Sequence, residues 1–220
     1  MSVDLRLYAI VDPERSGGHD LADLARQLAA GGTTLVQLRD KRSDTRAMVE
    51  RARAIKAALP ADVPLLINDR VDVALAAGAA GVHVGQDDMA PKDARRLLGR
   101  EAIIGLSIKS VEQAEAAPLE VLTYVAIGGV FTTTSKDNPD PPVGLAGLHK
   151  ISSVFRRRAP KLPICAIAGI DAGNAAEVIA AGADGVSVIS ALSLAKEPAQ
   201  AARSLREIVD AALAKRRYTL

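Results

Sequence analysis

The sequence predicts an α/β fold, a single (β/α)₈ TIM barrel that occupies residues 1–220. Three observations predict it: an internal repeat, an apolar composition with few aromatic side chains, and polar residues at the ends of the strands. Apolar residues make up 49% of the chain, but aromatic residues only 2%. The core is therefore built from Ala, Val, Leu and Ile, which suits short parallel strands buried between helices.

An internal repeat sets the number of strand–helix units. Segments 28–38, 75–85 and 179–189 read LAAGGTTLVQL, LAAGAAGVHVG and IAAGADGVSVI, each a helix end, a glycine turn and an apolar strand. The glycine after Ala-Ala is expected to take positive φ at the helix C-cap. The intervals between the segments correspond to two and four copies of a unit of about 25 residues, and eight such units nearly fill the chain.

Predicted strands and helices alternate along the chain. Ser43, Pro91 and Asp171 are expected to begin helices, and the long irregular segment 128–143 is expected to be a functional loop. A doubly wound sheet is the alternative architecture, which the absence of a GxGxxG motif after the first strand disfavours. The strands are predicted at 5–11, 34–38, 63–67, 81–84, 102–106, 122–127, 162–167 and 184–188. The helices are predicted at 20–30, 43–58, 70–77, 91–98, 110–116, 144–157, 172–181 and 198–214.

Composition excludes several classes of function. With 28 Lys+Arg against 26 Asp+Glu, the net charge of +2 makes no broad field for nucleic acid. The single cysteine, Cys165, cannot form an internal disulfide and suits a reducing compartment. No uncharged run is long enough to span a bilayer, and the N-terminus has no apolar run of signal-peptide length. We therefore expect a soluble cytoplasmic protein with small-molecule substrates and neither nucleic acid nor membrane as a partner.

Polar residues follow seven of the eight predicted strands, where the active sites of such barrels lie. Arg39, Lys41 and Lys136 are suited to phosphate or diphosphate oxygens. Asp69 and Asp88, at adjacent strand ends, would bind Mg²⁺ together with diphosphate oxygens and water. This mixture indicates diphosphate chemistry, and a surface ion-pair network is the alternative.

Strand alternation and a glycine add two further features. Leu35, Gln37 and Arg39 share one face of the second strand, so Gln37 and Arg39 are expected to point into the mouth of the barrel. Gly169 and Ser190, after the last two strands, fit a phosphate site made by backbone N–H groups and a helix N-terminus. The sequence shows no Cys–His or Ser–His pair at the rim.

The chain resembles the thiamine-phosphate synthase (thiamin phosphate pyrophosphorylase) family of (β/α)₈ enzymes from about Tyr8 to Leu192. The INDRVDVALAAGAAGVHVGQDD run within 65–89 is highly specific for that family. Three positions depart from its pattern, namely Lys109, Ser135 and Ala168, where histidine, threonine and glycine are usual. The other matching segments are 31–41, 105–107, 124–136, 166–170 and 180–191.

The resemblance implies a role for each matching position. It implies that the pyrimidine diphosphate is bound by Gln37, Leu38, Arg39, Asp40, Lys41, Asn68, Ser107 and Lys136. It implies that the thiazole phosphate is bound by Thr133, Thr134, Ser135, Gly169, Ile189 and Ser190. It implies that Asp69 and Asp88 bind Mg²⁺.

The implied activity is that of a transferase in thiamine biosynthesis. The family joins 4-amino-2-methyl-5-pyrimidinylmethyl diphosphate to a thiazole phosphate, in its carboxy or its 4-methyl-5-hydroxyethyl form, and releases diphosphate and thiamine phosphate. The implied pathway is dissociative, assisted by Mg²⁺, and needs no protein nucleophile. A thiazole tautomerase of the same family and a non-catalytic barrel that binds a phosphorylated ligand are the alternatives.

Overall fold

Eight parallel strands close into a barrel in the computed structural model, which describes residues 3–135 and 141–217. The strands pair in sequence order, and the last strand closes on the first through the pairs Leu7↔Val186 and Ala9↔Val188. This closure confirms the predicted fold class and excludes the doubly wound sheet. The strands are β1 Leu7–Val11, β2 Leu35–Leu38, β3 Leu65–Asn68, β4 Gly81–Val84, β5 Ile103–Ile108, β6 Tyr124–Ile127, β7 Ile164–Ile167 and β8 Gly185–Val188.

Helices follow the strands, and all the predicted helices are present: the helix at 91–98 has the predicted bounds, and the others have shifted ends. The four-residue helix Ser190–Ser193 was not expected from the sequence, and short 3₁₀ helices lie at Pro13–Arg15 and Leu119–Val121. Of the helices in the described ranges, none is long and apolar enough to cross a membrane. The α-helices are α1 Leu21–Ala30, α2 Thr45–Ala58, α3 Val71–Ala77, α4 Pro91–Leu98, α5 Val111–Ala116, α6 Gly144–Arg158, α7 Ala175–Ala180, α8 Ser190–Ser193 and α9 Pro198–Arg217.

Two of the three expected helix starts are wrong. Asp44, and not Ser43, caps α2, because its carboxylate accepts the Ala47 N–H at 2.9 Å. Asp171 instead closes a turn by accepting the Gly173 N–H, and α7 begins only after Asn174. Pro91 is the first residue of α4, as expected. The errors arise because several Ser, Asp and Asn residues compete for each cap, and only the turn geometry selects one.

The repeat glycines serve two different purposes. Gly78 and Gly182 take φ of +62° and +120°, as expected for the turn after a helix. Gly31 has φ of −83°, and the positive φ of that repeat falls on Gly32. A Cβ on Gly31 would lie 2.3 Å from the Ala199 carbonyl oxygen. Gly31 is therefore required for the close approach of α9 and not for the turn.

The core has two layers that alternate along each strand. Leu7, Ala9 and Val11 of β1 face the helices and belong to the large outer cluster. Tyr8, between them, faces the barrel axis. Cys165 is fully buried in this interior layer. The interior layer consists of Leu5, Tyr8, Leu35, Leu66, Ile103, Tyr124, Ala126 and Cys165.

Candidate active site

A cavity of about 470 Å³ opens at the carboxyl ends of the strands. Tyr8, His83, Ala126 and Ser187 contribute from within the barrel, and the loops after β6, β7 and β8 form one wall. The volume is in the range that encloses small-molecule ligands. The mouth of the barrel is therefore the candidate active site.

The predicted site residues divide into those that line this cavity and those beside it. Lys136 lies outside the described residues. The residues that line the cavity are Gln37, Arg39, Asn68, Thr133, Thr134, Ser135, Gly169, Ile189 and Ser190. Those of the described chain that do not line it are Leu38, Asp40, Lys41, Asp69, Asp88 and Ser107.

An ion pair orients Arg39 at the edge of the cavity. The Arg39 guanidinium donates to the carboxylate of Asp12, the residue that follows β1. The Asp12 side chain is only 1% exposed and that of Arg39 is 18% exposed. A guanidinium has five N–H donors, so this single contact orients Arg39 and leaves donors for a ligand. Asp12 supplies the polar strand end that sequence reasoning missed, although its position directly after a strand was visible.

Lys41, Asp69 and Asp88 form a charged cluster beside the cavity. Asp69 follows β3 with φ of +61°, and its carboxylate accepts hydrogen bonds from Lys41 and, at 2.7 Å, from the Asn68 amide. The Asp88 carboxylate accepts the Gly85 N–H at 2.8 Å. We call Arg39, Lys41, Asn68, Asp69 and Asp88 the charged side of the site.

The carboxylates of the charged side suit a hard cation. Burial raises the pKa of Asp69; the Lys41 ammonium opposes this effect and the adjacent Asp88 carboxylate adds to it. Within residues 3–135 and 141–217, no three His, Cys, Asp or Glu side chains are arranged to hold a metal ion. Two crowded carboxylates would supply part of a Mg²⁺ shell, as expected for an ion that also takes substrate oxygens and water. The residues present therefore fit Mg²⁺.

Leu38 and Asp40 face away from the cavity. Leu38 is buried in the outer cluster between strands and helices. The Asp40 carboxylate pairs with Arg51 of α2 and accepts the N–H groups of Arg42 and Ser43. Burial alone would raise the pKa of Asp40, but these hydrogen bonds and Arg51 outweigh it and hold the pKa below its ordinary value. Asp40 thus shapes the loop that carries Lys41.

The opposite wall of the cavity carries hydroxyl groups and few charges. We call Thr133, Thr134, Ser135, Gly169, Ile189 and Ser190 the hydroxyl side of the site. The Ser135 hydroxyl donates to the Ser190 hydroxyl at 3.2 Å, which joins the loop after β6 to the start of α8. The first N–H groups of a helix lack partners within it, so this corner offers hydroxyl and N–H donors together.

Backbone geometry holds the hydroxyl side in place. The loop after β6 pairs with the end of β7, where Phe131 N–H donates to the Ala168 carbonyl at 3.1 Å. Gly169 has φ of +66°, and a Cβ there would lie 2.5 Å from the Thr132 carbonyl oxygen. Sequence reasoning assigned this glycine to close approach of a phosphate. The structure adds that the glycine lets two active-site loops lie against each other.

Ala168 takes φ of +90°, in the left-handed region that glycine occupies without strain. It stands where the resembled family usually has glycine, and the backbone keeps the conformation that glycine favours. The substitution therefore leaves a strained residue at the edge of the cavity.

Ser107 and His83 form a pair that the sequence did not reveal. Their Oγ and Nε2 atoms lie 2.9 Å apart, and His83 Nδ1 lies 2.8 Å from the Tyr124 hydroxyl oxygen. The expectation that the rim lacks a Ser–His pair is therefore wrong. Residues 83 and 107 are on neighbouring strands, and the register that pairs His83 with Gly105 is what brings them together.

Comparison with known proteins decides the family. The thiamine monophosphate synthase family profile matches residues 7–192. The chain belongs to the thiamine monophosphate synthase family. This confirms the resemblance seen in the sequence, and the activity is that of a thiamine-phosphate synthase, a transferase of thiamine biosynthesis.

Individual relatives match over nearly the whole chain. The thiamine-phosphate synthase of Agrobacterium fabrum is 51% identical over 96% of this chain and 96% of its own length. That of Moorella thermoacetica is 44% identical over 95% of this chain and 98% of its own. The solved structure of thiamine phosphate pyrophosphorylase from Pyrococcus furiosus is 36% identical, has a TM-score of 0.82, and covers 96% of this chain and 98% of that one.

Proposed function

We propose that the two sides of the cavity bind the two substrates of the synthase reaction. The charged side takes the diphosphate of 4-amino-2-methyl-5-pyrimidinylmethyl diphosphate, and the hydroxyl side takes a thiazole phosphate. One observation carries the proposal: Arg39 and Asn68 line the same cavity of about 470 Å³ as the hydroxyl side, and Asn68 joins them to the cluster of Lys41, Asp69 and Asp88 beside it. A site for a single phosphorylated ligand would not need both sides.

On the charged side, Arg39 and Lys41 bind diphosphate oxygens, and Asn68 and Ser107 add neutral donors. Arg39 is already oriented by Asp12, so little of its side-chain entropy remains to be lost when the substrate binds. The Gln37 side chain is buried and lines the cavity. Its amide is the proposed ligand of the pyrimidine ring. Lys136 is proposed as a further diphosphate ligand on the basis of the resemblance alone.

Asp69 and Asp88 would hold Mg²⁺. Held by these two carboxylates, Mg²⁺ would neutralise charge that develops on the leaving diphosphate. The Lys41 ammonium contacts Asp69 and is therefore close to the same point. Lys41 and the metal ion would together stabilise the negative charge of the leaving diphosphate.

The reaction proceeds by loss of diphosphate before attack. The bond between the methylene carbon and the diphosphate oxygen breaks, and its electron pair leaves with the diphosphate. The thiazole nitrogen then gives its lone pair to the methylene carbon, which forms the new C–N bond. The chain orients both rings and excludes water, and no side chain acts as a nucleophile.

The experiment is a product assay on the purified chain. We expect diphosphate and thiamine phosphate in equal amounts when both substrates and Mg²⁺ are present, and neither when EDTA is added. No product with Mg²⁺ present would reject the synthase assignment. Binding of both substrates without turnover would then favour the non-catalytic barrel, and conversion of a thiazole carboxylate phosphate alone would favour the tautomerase.

A further inference from the structure

A continuous chain of hydrogen bonds crosses the interior of the barrel beneath the cavity. Gln37 Nε2 donates to the Tyr8 hydroxyl, whose oxygen lies 3.0 Å from that of Tyr124. The Tyr124 hydroxyl contacts His83 Nδ1 at 2.8 Å, and His83 Nε2 contacts Ser107 Oγ at 2.9 Å. We call Gln37, Tyr8, Tyr124, His83 and Ser107 the cross-barrel chain. Its two ends are the proposed ligands of the pyrimidine ring and of its diphosphate.

The rings of the cross-barrel chain are held by close packing. Tyr8 and Tyr124 meet edge to face at 5.9 Å, and His83 stacks on Tyr124 with ring centroids 5.6 Å apart. Gly105 makes room for the Tyr124 ring, because a Cβ there would lie 2.1 Å from Tyr124 Cζ. Burial raises the pKa of both tyrosines, so both hydroxyls stay protonated and able to donate. The sequence has three tyrosines in all, and two of them are used here.

A purely structural role accounts poorly for this arrangement. Apolar side chains of similar volume would fill a barrel interior without the cost of burying polar atoms. Leu35, Leu66 and Ile103 do this in the same layer. Polar groups are buried here in a connected line, and both tyrosine hydroxyls have partners within that line, whereas the buried hydroxyl of Ser187 lies outside it and has none. Such a network fixes side-chain orientations more strictly than apolar packing does.

We infer that the cross-barrel chain is a positioning device that holds the Gln37 amide and the Ser107 hydroxyl in one relative orientation for the pyrimidine diphosphate. This inference rests on the proposed function. A neutral imidazole has one donor and one acceptor nitrogen. If His83 Nδ1 donates to the Tyr124 hydroxyl, His83 Nε2 must accept from the Ser107 hydroxyl, and the reverse also holds. At the other end, the Tyr8 hydroxyl oxygen accepts from both Gln37 Nε2 and the Tyr124 hydroxyl, which holds the Gln37 amide in the same line. His83 and Tyr124 are thus positioning residues for the two ends.

The first test removes the central hydroxyl and keeps the ring. Tyr124→Phe is expected to lower kcat/KM for the pyrimidine diphosphate about tenfold or more, because both ends lose their connection. The Kd of the thiazole phosphate, measured by calorimetry, is expected to stay unchanged. Cys165→Ala is the matched control, since Cys165 is fully buried in the same layer but outside the cross-barrel chain. Equal effects of the two variants would overturn the inference.

A double-mutant cycle tests the His83–Ser107 end. His83→Leu is expected to lower kcat/KM for the pyrimidine diphosphate strongly in the wild-type background and only weakly in the Ser107→Ala background. His83→Gln, whose amide can still reach Ser107, is expected to recover most of the activity. Equal fold losses of His83→Leu in both backgrounds would show that His83 does not act through Ser107.

The two proposals fail in different ways. If the wild-type chain makes no thiamine phosphate, the proposed function fails and the inference falls with it. If the wild type is active and Tyr124→Phe behaves like Cys165→Ala, only the inference fails. A pyrimidine adduct on Ser107, found by mass spectrometry during turnover, would also overturn it, because the Ser107–His83 pair would then be a nucleophile and its base.

Discussion

The charged side and the hydroxyl side of the mouth are built by different means. The charged side is held by ion pairs between side chains from neighbouring loops, such as Arg39–Asp12 and Lys41–Asp69. The hydroxyl side is held by backbone turns, with Gly169 at positive φ and the loop after β6 paired to β7. The two sides should therefore respond differently to charge changes and to backbone changes.

This difference in construction matches the group that each side is proposed to bind: a leaving diphosphate on the charged side and an unreactive phosphate on the hydroxyl side. A leaving diphosphate carries developing charge, which oriented cations and a metal ion stabilise best. A phosphate that does not react needs only a cradle of donors, which turns and a helix N-terminus supply without buried charge. The four predictions that follow break or sharpen this comparison, and they begin with the largest expected effect.

Loss of a carboxylate on the charged side is expected to have the largest effect. Asp69→Ala and Asp88→Asn are expected to lower kcat about a hundredfold or more and to raise the Mg²⁺ concentration for half-maximal activity. Asn at position 88 keeps an acceptor for the Gly85 N–H, so the loop itself is preserved. Initial rates across a Mg²⁺ titration measure both effects.

Asp87→Ala is the control for these variants, because Asp87 is the exposed neighbour of Asp88. It is expected to keep wild-type Mg²⁺ dependence. Equal losses for the Asp87 and Asp88 variants, or activity of Asp69→Ala close to that of His83→Gln, would contradict the metal assignment.

Breaking the Arg39–Asp12 pair is expected to have the next largest effect. Asp12→Asn keeps the shape of the side chain but removes the charge that orients Arg39, so kcat/KM for the pyrimidine diphosphate should fall about tenfold. Removal of one partner of a buried ion pair also destabilises the fold, by about 3 kcal/mol. Steady-state kinetics and urea unfolding measure the two effects.

Glu14→Gln breaks an exposed ion pair with Arg42 and serves as the control. Its expected change in stability is under about 1 kcal/mol, with activity unchanged. An Asp12→Asn variant that kept full activity would mean that Arg39 needs no orientation by Asp12.

Of the two substrates, only the thiazole phosphate is expected to bind less well after a backbone change on the hydroxyl side. Gly169→Ala places a Cβ against the Thr132 carbonyl, so the loop after β6 must move. The KM for the thiazole phosphate should rise about tenfold, while the Kd of the pyrimidine diphosphate stays near the wild-type value. Steady-state kinetics and calorimetry with each substrate check this.

Gly99→Ala separates backbone strain from the loop contact. Gly99 has φ of +87°, and a Cβ there would meet nothing within 4 Å. Both variants should lose about 1–2 kcal/mol of stability, but only Gly169→Ala should change the KM. If both variants changed the KM, or if neither did, the contact between Gly169 and the loop after β6 would not be what sets binding of the thiazole phosphate.

The smallest expected effect is a gain in stability. Ala168→Gly relieves a non-glycine residue at φ of +90°, which costs about 1–2 kcal/mol, and part of this gain is lost to the greater entropy of unfolded glycine. The free energy of unfolding should rise by up to about 1 kcal/mol, measured by urea unfolding. Ala166→Gly, at a buried position within β7, should instead be destabilising. Destabilisation by both substitutions would show that Ala168 is not strained.

Sequence reasoning succeeded where neighbouring residues carry the information. Alternation in β2 placed Gln37 inside the barrel, and the position of Asp69 and Asp88 after adjacent strands placed both on one side of the mouth. It failed where a residue near the site has a partner elsewhere. Asp40 follows β2 as Arg39 does, yet it is turned towards Arg51, which no local pattern shows.

The sequence by itself determined the barrel, the polar rim and the chemical types of residue at the mouth. These follow from strand alternation, repeat length and the order of residues after each strand, all of which are local. Only the tertiary structure decided that Asp12 orients Arg39 across 27 positions, that His83 meets Tyr124 across 41, and that Tyr124 meets Tyr8 across 116. The physical reason is that strands distant in the chain become neighbours: β2 pairs beside β1, and β1, β4 and β6 share one interior once β8 pairs with β1.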